Sequence, residues 1–134
     1  MKSTRSVREL LVGTGVLSAR QENLARLETW TSAFIGALPA AQACVVGPYA
    51  RWHIVRDARR RAARRPYSSR AADADVSGIR IAAASTAWLD HEDLDLTELT
   101  QADLDRYLTE HPTKHRGTRA FIRWAIMRRL TTRT

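Results

Sequence analysis

Residues 114–130 read KHRGTRAFIRWAIMRRL, and the spacing within this stretch decides the fold. At about 100° per residue, Phe121 and Trp124 fall on one side of a helix, with Gly117, Ala120 and Ala125 beside them. Arg116, Arg119 and Arg123 fall on the other, at i, i+3 and i+7, where side chains on a helix line up. From residue 111 to the end there are six Arg and one Lys, and no Asp or Glu. The pattern predicts an amphipathic helix that packs by its aromatics and offers an arginine stripe to a polyanion. Taken alone, the stripe also reads as the solvated face of a charged helix.

Upstream, Thr100-Gln-Ala-Asp103 starts a short helix to about Glu110, with Leu104, Tyr107 and Leu108 turned inward. Asp103 and Asp105 suit the positive end of its dipole. His111-Pro112 breaks the chain, leaving Thr113 to cap the last helix. The connector before it, HEDLDLTEL (residues 91–99), is acidic. Further back, a helix over about 70–91 carries Val76, Ile79, Ala83, Ala87 and Trp88 as its packing stripe, capped by Ser68 or Ser69.

A helix over about 41–65 has Val45, Tyr49, Trp52, Val55, Ala58 and Ala62 on its apolar side, with Gly47-Pro48 expected to kink or restart it. Its last fifteen residues hold Arg51, Arg56, Arg59, Arg60, Arg61, Arg64 and Arg65, spread nearly all round, and Pro66 stops it. The first long helix is expected over 19–37, from a capping box at Ser18–Gln21, with Leu24, Leu27, Trp30, Phe34 and Leu38 inward, and Pro39 ends it. Before it, residues 1–17 suggest a short helix around Ser6 to Leu11 and a Gly-rich turn, loosely held. No run alternates as a half-buried strand does. The fold class is therefore all-α, a single small bundle of four to five helices. Residues 1–39 form an N-terminal extension with one helix, and 40–134 a helical domain.

The chain's 134 residues suffice for one domain with its own core. Its formal charge of +8 makes nucleic acid the first partner to consider and an acidic membrane the second. The charge is sorted: residues 1–65 carry a net +8, residues 66–110 a net −7, and residues 111–134 a net +7. Only two of the 22 basic residues are Lys, and Arg is the better fork for phosphates and guanine edges. One cysteine, Cys44, excludes an internal disulfide, and with four scattered His it argues against structural zinc. Its thiol is expected to be buried. No run approaches the ~20 apolar residues of a membrane span, and the N-terminus lacks a signal cleavage site, so a cytoplasmic protein is expected. Asp90, Glu92, Asp93 and Asp95 lack the spacing of a calcium loop, and no Gly-rich loop has phosphate-binding spacing. No metal or cofactor is expected.

Residues 68–130 resemble the core-binding, SAM-like domain of the tyrosine recombinases, or phage-type integrases. The order of phrases carries the likeness: a helix ending in STAWLDHEDL (85–94), then LTELTQADLDRYL (96–108), then RAFIRWAIMRRL (119–130). The preceding YARWHIVRDARRRAARRP (49–66) is similar to the helix before these in actinobacterial-type relatives, so the likeness extends over about 41–130. In that family the domain is half of a clamp around duplex DNA. The resemblance implies Ser69 and Arg70 as DNA-facing at the start of one helix, and Lys114, His115, Arg116, Arg119 and Arg123 in the last. It also implies double-stranded DNA as partner, with recombinase protomers or a second copy alongside.

The family's chemistry resides in a larger catalytic domain, which would begin about where this sequence ends. His53-Ile-Val-Arg56 matches the family's H-x-x-R pattern but stands upstream of the core-binding region, and is read as chance. Tyr49, Tyr67 and Tyr107 are read as packing or turn residues. Without an arginine pair and a placed nucleophile, no catalysis is expected. Two other readings stay open: a helical protein–protein module or degenerate integrase remnant without autonomous DNA binding, and a basic RNA or membrane-surface binder.

Overall fold

A computed structural model describes the backbone over residues 19–133 and the side chains over residues 22–113 and 116–128. The expected helix near Ser6 to Leu11 and the Ser18 capping box lie outside the described residues. So do the side chains of Lys114 and His115. Among the described residues there are five helices and no strand: α1 (Ala19–Ala37), α2 (residues 40–64), α3 (Ser69–His91), α4 (Gln101–Glu110) and α5 (His115–Arg133). Single 3₁₀ turns, Leu96–Glu98 and Pro112–Lys114, lead into α4 and α5. The fold is a small all-α bundle, as the periodicities predict.

α1 and α2 run antiparallel: Glu28 meets Arg59, and Ile35 packs at Gly47. α2 and α3 do the same, with Arg61 on Asp75 and Ile54 beside Gly78. α5 lies across both, its Gly117 on Ile81 of α3 and its Phe121 and Trp124 edge-on to Tyr49 of α2, each at 5.1 Å between ring centroids. Leu27, Ile35, Val46, Tyr49, Val55, Ile79, Phe121 and Ile122 meet in one core. Burying each large apolar side chain of this kind contributes about 1.5–3 kcal/mol.

Caps hold the ends. The Ser68 hydroxyl accepts from the Ala71 N–H at 3.1 Å, which resolves the Ser68-or-Ser69 choice. Thr100 and Asp103 form a reciprocal capping box on α4. Asn23 donates its Nδ2 to the Tyr67 carbonyl at 2.8 Å and so fastens α1 to the α2–α3 link.

α2 departs most from expectation. The chain stays helical through Gly47-Pro48 but changes type there. Pro48 lacks an N–H for the ladder, and the helix widens into a π segment, Tyr49–Val55, before resuming as Arg56–Arg64. The Arg56 N–H reaches back five residues to the Arg51 carbonyl. Buried Val46, Ala50, Val55, Ala58 and Ala62 accordingly step with one interval of five, and Gly47 and Tyr49 are buried beside them. Trp52, expected on the apolar side, is rotated out and is 67% exposed.

Smaller corrections share one cause, that side chains on the edge of a stripe go to either side. In α1, Thr31 and Ile35 are buried, while Trp30 and Phe34 stack on the flank at 4.7 Å. Thr31 tolerates burial because its hydroxyl donates to the Leu27 carbonyl at 2.7 Å. In α3, Ala87 is exposed and Thr86 and Leu89 face inward; in α5, Ala120 is exposed and Ile122 is buried. Cys44, expected as a buried thiol, is exposed on α2, because Val46 and Gly47 take the inward positions of that turn.

Candidate nucleic-acid interface

α5 is anchored on one side only. Phe121 is fully buried, Thr118, Ile122 and Ala125 are buried with it, and Trp124 is half-buried against Tyr49. Gly117 permits this approach, since a Cβ there would stand 2.8 Å from Ile81 Cδ1. The Arg128 guanidinium lies over the Trp124 ring at 5.3 Å and closes the aromatic stack at the far end.

On the opposite side Arg116, Arg119 and Arg123 are all exposed. Helical geometry places them within about 60° of one another around the axis. None forms an ion pair with a described residue. Other arginines differ: Arg59 pairs with Glu28 at 2.5 Å, Arg61 with Asp57 and Asp75 at 2.9 and 2.8 Å, and Arg106 with Glu92 at 3.0 Å. Of the acids in the connector and α4, Glu92 and Asp103 lie on Arg106, and among the described residues none pairs with Arg116, Arg119 or Arg123.

Ser69 and Arg70 are exposed in the first turn of α3, where Ser68 and not Ser69 is the cap. Ser69 also borders a shallow cleft with Asn23, Arg26 and Trp30. They stand twelve and eleven residues before the Ile81–Gly117 crossing, roughly 16–18 Å along the helix axis. The structure therefore brings Arg116, Arg119 and Arg123 together and keeps Ser69 and Arg70 apart from them.

His53 of the H-x-x-R pattern is exposed and stacks on Tyr49 at 5.1 Å, whereas Arg56 lines a groove between α1 and α2. Tyr49, Tyr67 and Tyr107 are buried packing residues. Asp90, Asp93 and Asp95 border an open cavity floored by Phe121, and the described residues hold no group of three or more ligands placed for a metal ion. No helix among them is long and apolar enough to cross a membrane.

The site residues that sequence reasoning missed are Arg51, Trp52 and Arg56, grouped on that α1–α2 groove. The available signal was the Gly47-Pro48 pair at a helical position, which shifts the register of everything after it. No family model, curated protein or solved structure matches the chain.

Proposed function

We propose that the chain is a duplex-DNA-binding module of the kind that tyrosine recombinases use as their core-binding domain. The observation that carries this reading is the α5 face: three exposed arginines in one stripe, with no acidic partner among the described residues, on a helix locked from behind by Phe121 and Trp124. Such a face meets phosphates without having to break internal ion pairs. The LTELTQADLDRYL phrase supports the family assignment, and Ser69 and Arg70 give a second, separate point of contact. Lys114 and His115 extend the same helix start in sequence. In this reading the chain grips DNA and performs no strand transfer of its own, works in the cytoplasm, and shares the duplex with recombinase protomers or a second copy.

The test is fluorescence anisotropy with a labelled random-sequence duplex of about 30 bp, repeated at several salt concentrations. Binding should weaken steeply with salt, with a slope of about −0.9 in log K against log salt for each phosphate neutralised. Arg119→Ala and Arg123→Ala should each reduce affinity and flatten that slope by about one unit, with unchanged circular dichroism. Parent-like binding by both variants sinks the assignment of this face. A second reading, a protein-docking helix, draws on Ile126 and Met127, which are exposed farther along α5. Salt-resistant self-association without duplex binding would favour it.

A further inference from the structure

We propose that the groove between α1 and the π segment of α2 takes an unpaired nucleotide of a single strand, with Trp52 stacking on the base and Arg51 and Arg56 holding its phosphates. The proposal uses none of the α5 residues and does not depend on the duplex reading.

The groove has a volume of about 500 Å³, and its lining includes Glu28, Thr31, Arg51, Trp52, Arg56 and Arg59. That volume lies within the roughly 300–1,000 Å³ of small-molecule sites. The other three tryptophans are engaged: Trp30 by Phe34 and Arg80, Trp88 by Tyr107 and Arg106, and Trp124 by Tyr49 and Arg128. Trp52 makes no ring or cation contact with a described residue. Its placement is a product of the π turn, which carries the indole from the core side into the groove, and such turns recur at functional sites.

The charges sort the same way. Glu28, the groove's carboxylate, is held by Arg59 at 2.5 Å. Arg51 and Arg56 have no acidic partner among the described residues. A planar π surface sharing a groove with two guanidinium forks that have no acidic partner among the described residues matches a ligand that is both flat and anionic. A phosphate alone leaves the indole uncovered, as does a peptide of acidic side chains only. A base within a duplex has both faces occupied by its neighbours, so the ring needs an unpaired one.

The experiment titrates the full chain against fluorescein-labelled dT12 and, separately, a 30 bp duplex, with Trp52→Ala, Trp52→Phe, Arg56→Ala and Arg119→Ala as variants and poly-glutamate as competitor. Trp52 and Arg56 are exposed, so these changes spare the core, and circular dichroism checks it. Trp52→Ala should lower affinity for dT12 by about 5- to 150-fold, the range expected for one stacked base. Trp52→Phe should retain most of the affinity, Arg56→Ala should weaken it, and duplex binding should stay within twofold for both Trp52 variants. The proposal is overturned if dT12 does not bind, if Trp52→Ala binds it like the parent, or if poly-glutamate competes as well as unlabelled oligonucleotide, which would mark an acidic protein partner. Loss or persistence of duplex binding in Arg119→Ala bears on the α5 face alone.

Discussion

The hydroxyl of Tyr67, a side chain only 2% exposed, donates to the carboxylate of Asp75, which also accepts from Arg61 Nη2 at 2.8 Å. Arg61 stands in the last turn of α2, Tyr67 in the link and Asp75 in the second turn of α3, so one acid ties both helices to the link between them. The Arg61 guanidinium also lies over the Tyr67 ring at 5.6 Å. Asp75→Ala strands a buried phenol hydroxyl and should cost about 1–3 kcal/mol, most of it from Tyr67, because the partly exposed Arg61 is screened by water. Tyr67→Phe should cost less, since Asp75 keeps Arg61. Urea midpoints of the two single variants and the double variant measure the coupling. Asp75→Ala with the parent's midpoint would show that the tie carries no stability.

The same pair makes the fold sensitive to alkali. Burial first, then the hydrogen bond to Asp75 and its negative charge, push the Tyr67 phenol well above its ordinary value, against the opposing pull of Arg61. Burial raises Tyr49 as well. A folded-state pKa above the unfolded one means that the native state holds its proton more tightly. That stability is fully present below the ordinary tyrosine value of about 10 and is lost as pH rises through the folded-state value. Thermal melts should therefore fall in midpoint from about pH 10 upward, and fall less steeply in Tyr67→Phe. Absorbance titration should show the Tyr67 and Tyr49 tyrosinate signal forming later in the native protein than in urea.

Gly117 sets how closely α5 approaches α3. A Cβ there meets Ile81 Cδ1 at 2.8 Å and Cγ2 at 3.2 Å, so the isoleucine cannot clear it by moving its tip alone. Gly117→Val should destabilise by about 1–3 kcal/mol despite the poor helix propensity of glycine. Ile81→Ala in the same chain should recover part of the loss, more than the two single changes added together predict. A Gly117→Val protein with the parent's melting temperature would refute the close contact.

Two buried threonines should respond oppositely to the same edit. Thr86 donates its hydroxyl to the Ala82 carbonyl at 2.9 Å, whereas Thr118, 1% exposed, has an Oγ1 without a partner among the described residues. Thr118→Val removes an unsatisfied polar group and should stabilise by about 1 kcal/mol; Thr86→Val loses a made bond and should destabilise by a similar amount. Paired denaturation curves decide, and a destabilised Thr118→Val would mean that the hydroxyl has a partner.

Helix existence was the most legible part of the fold. Prolines 39 and 66 and the cap residues Ser68 and Thr100 act through local covalent geometry, which periodicity and spacing report directly. The exposed set Arg116, Arg119 and Arg123 was readable for the same reason, since one helix carries all three. What lay beyond reading was rotation. Trp52 fits a 3.6-residue stripe as well as Val55 does, and only the π turn after Pro48, a choice made in packing against α1 and α3, separates them. Cys44 misled because small apolar residues on both sides of it satisfy an inward position equally well. Distance between elements was equally hidden, so the separation of Ser69 and Arg70 from α5 had no local signature.

The π segment Tyr49–Val55 gives α2 two rotational phases in one unbroken rod. An α-helix of the same span needs one residue fewer, so the rod stores a spare residue between Ala50 and Val55. Deleting a residue there would turn the segment into ordinary α-helix and leave both halves at their present phases, with Arg61 still on Asp75, whereas a deletion in a regular turn of α2 would rotate its basic half by roughly 100° relative to Val46. Deletions elsewhere in α2 have no such slack to draw on. Chain length, counted in single residues, is what keeps the two ends of this helix facing their separate neighbours.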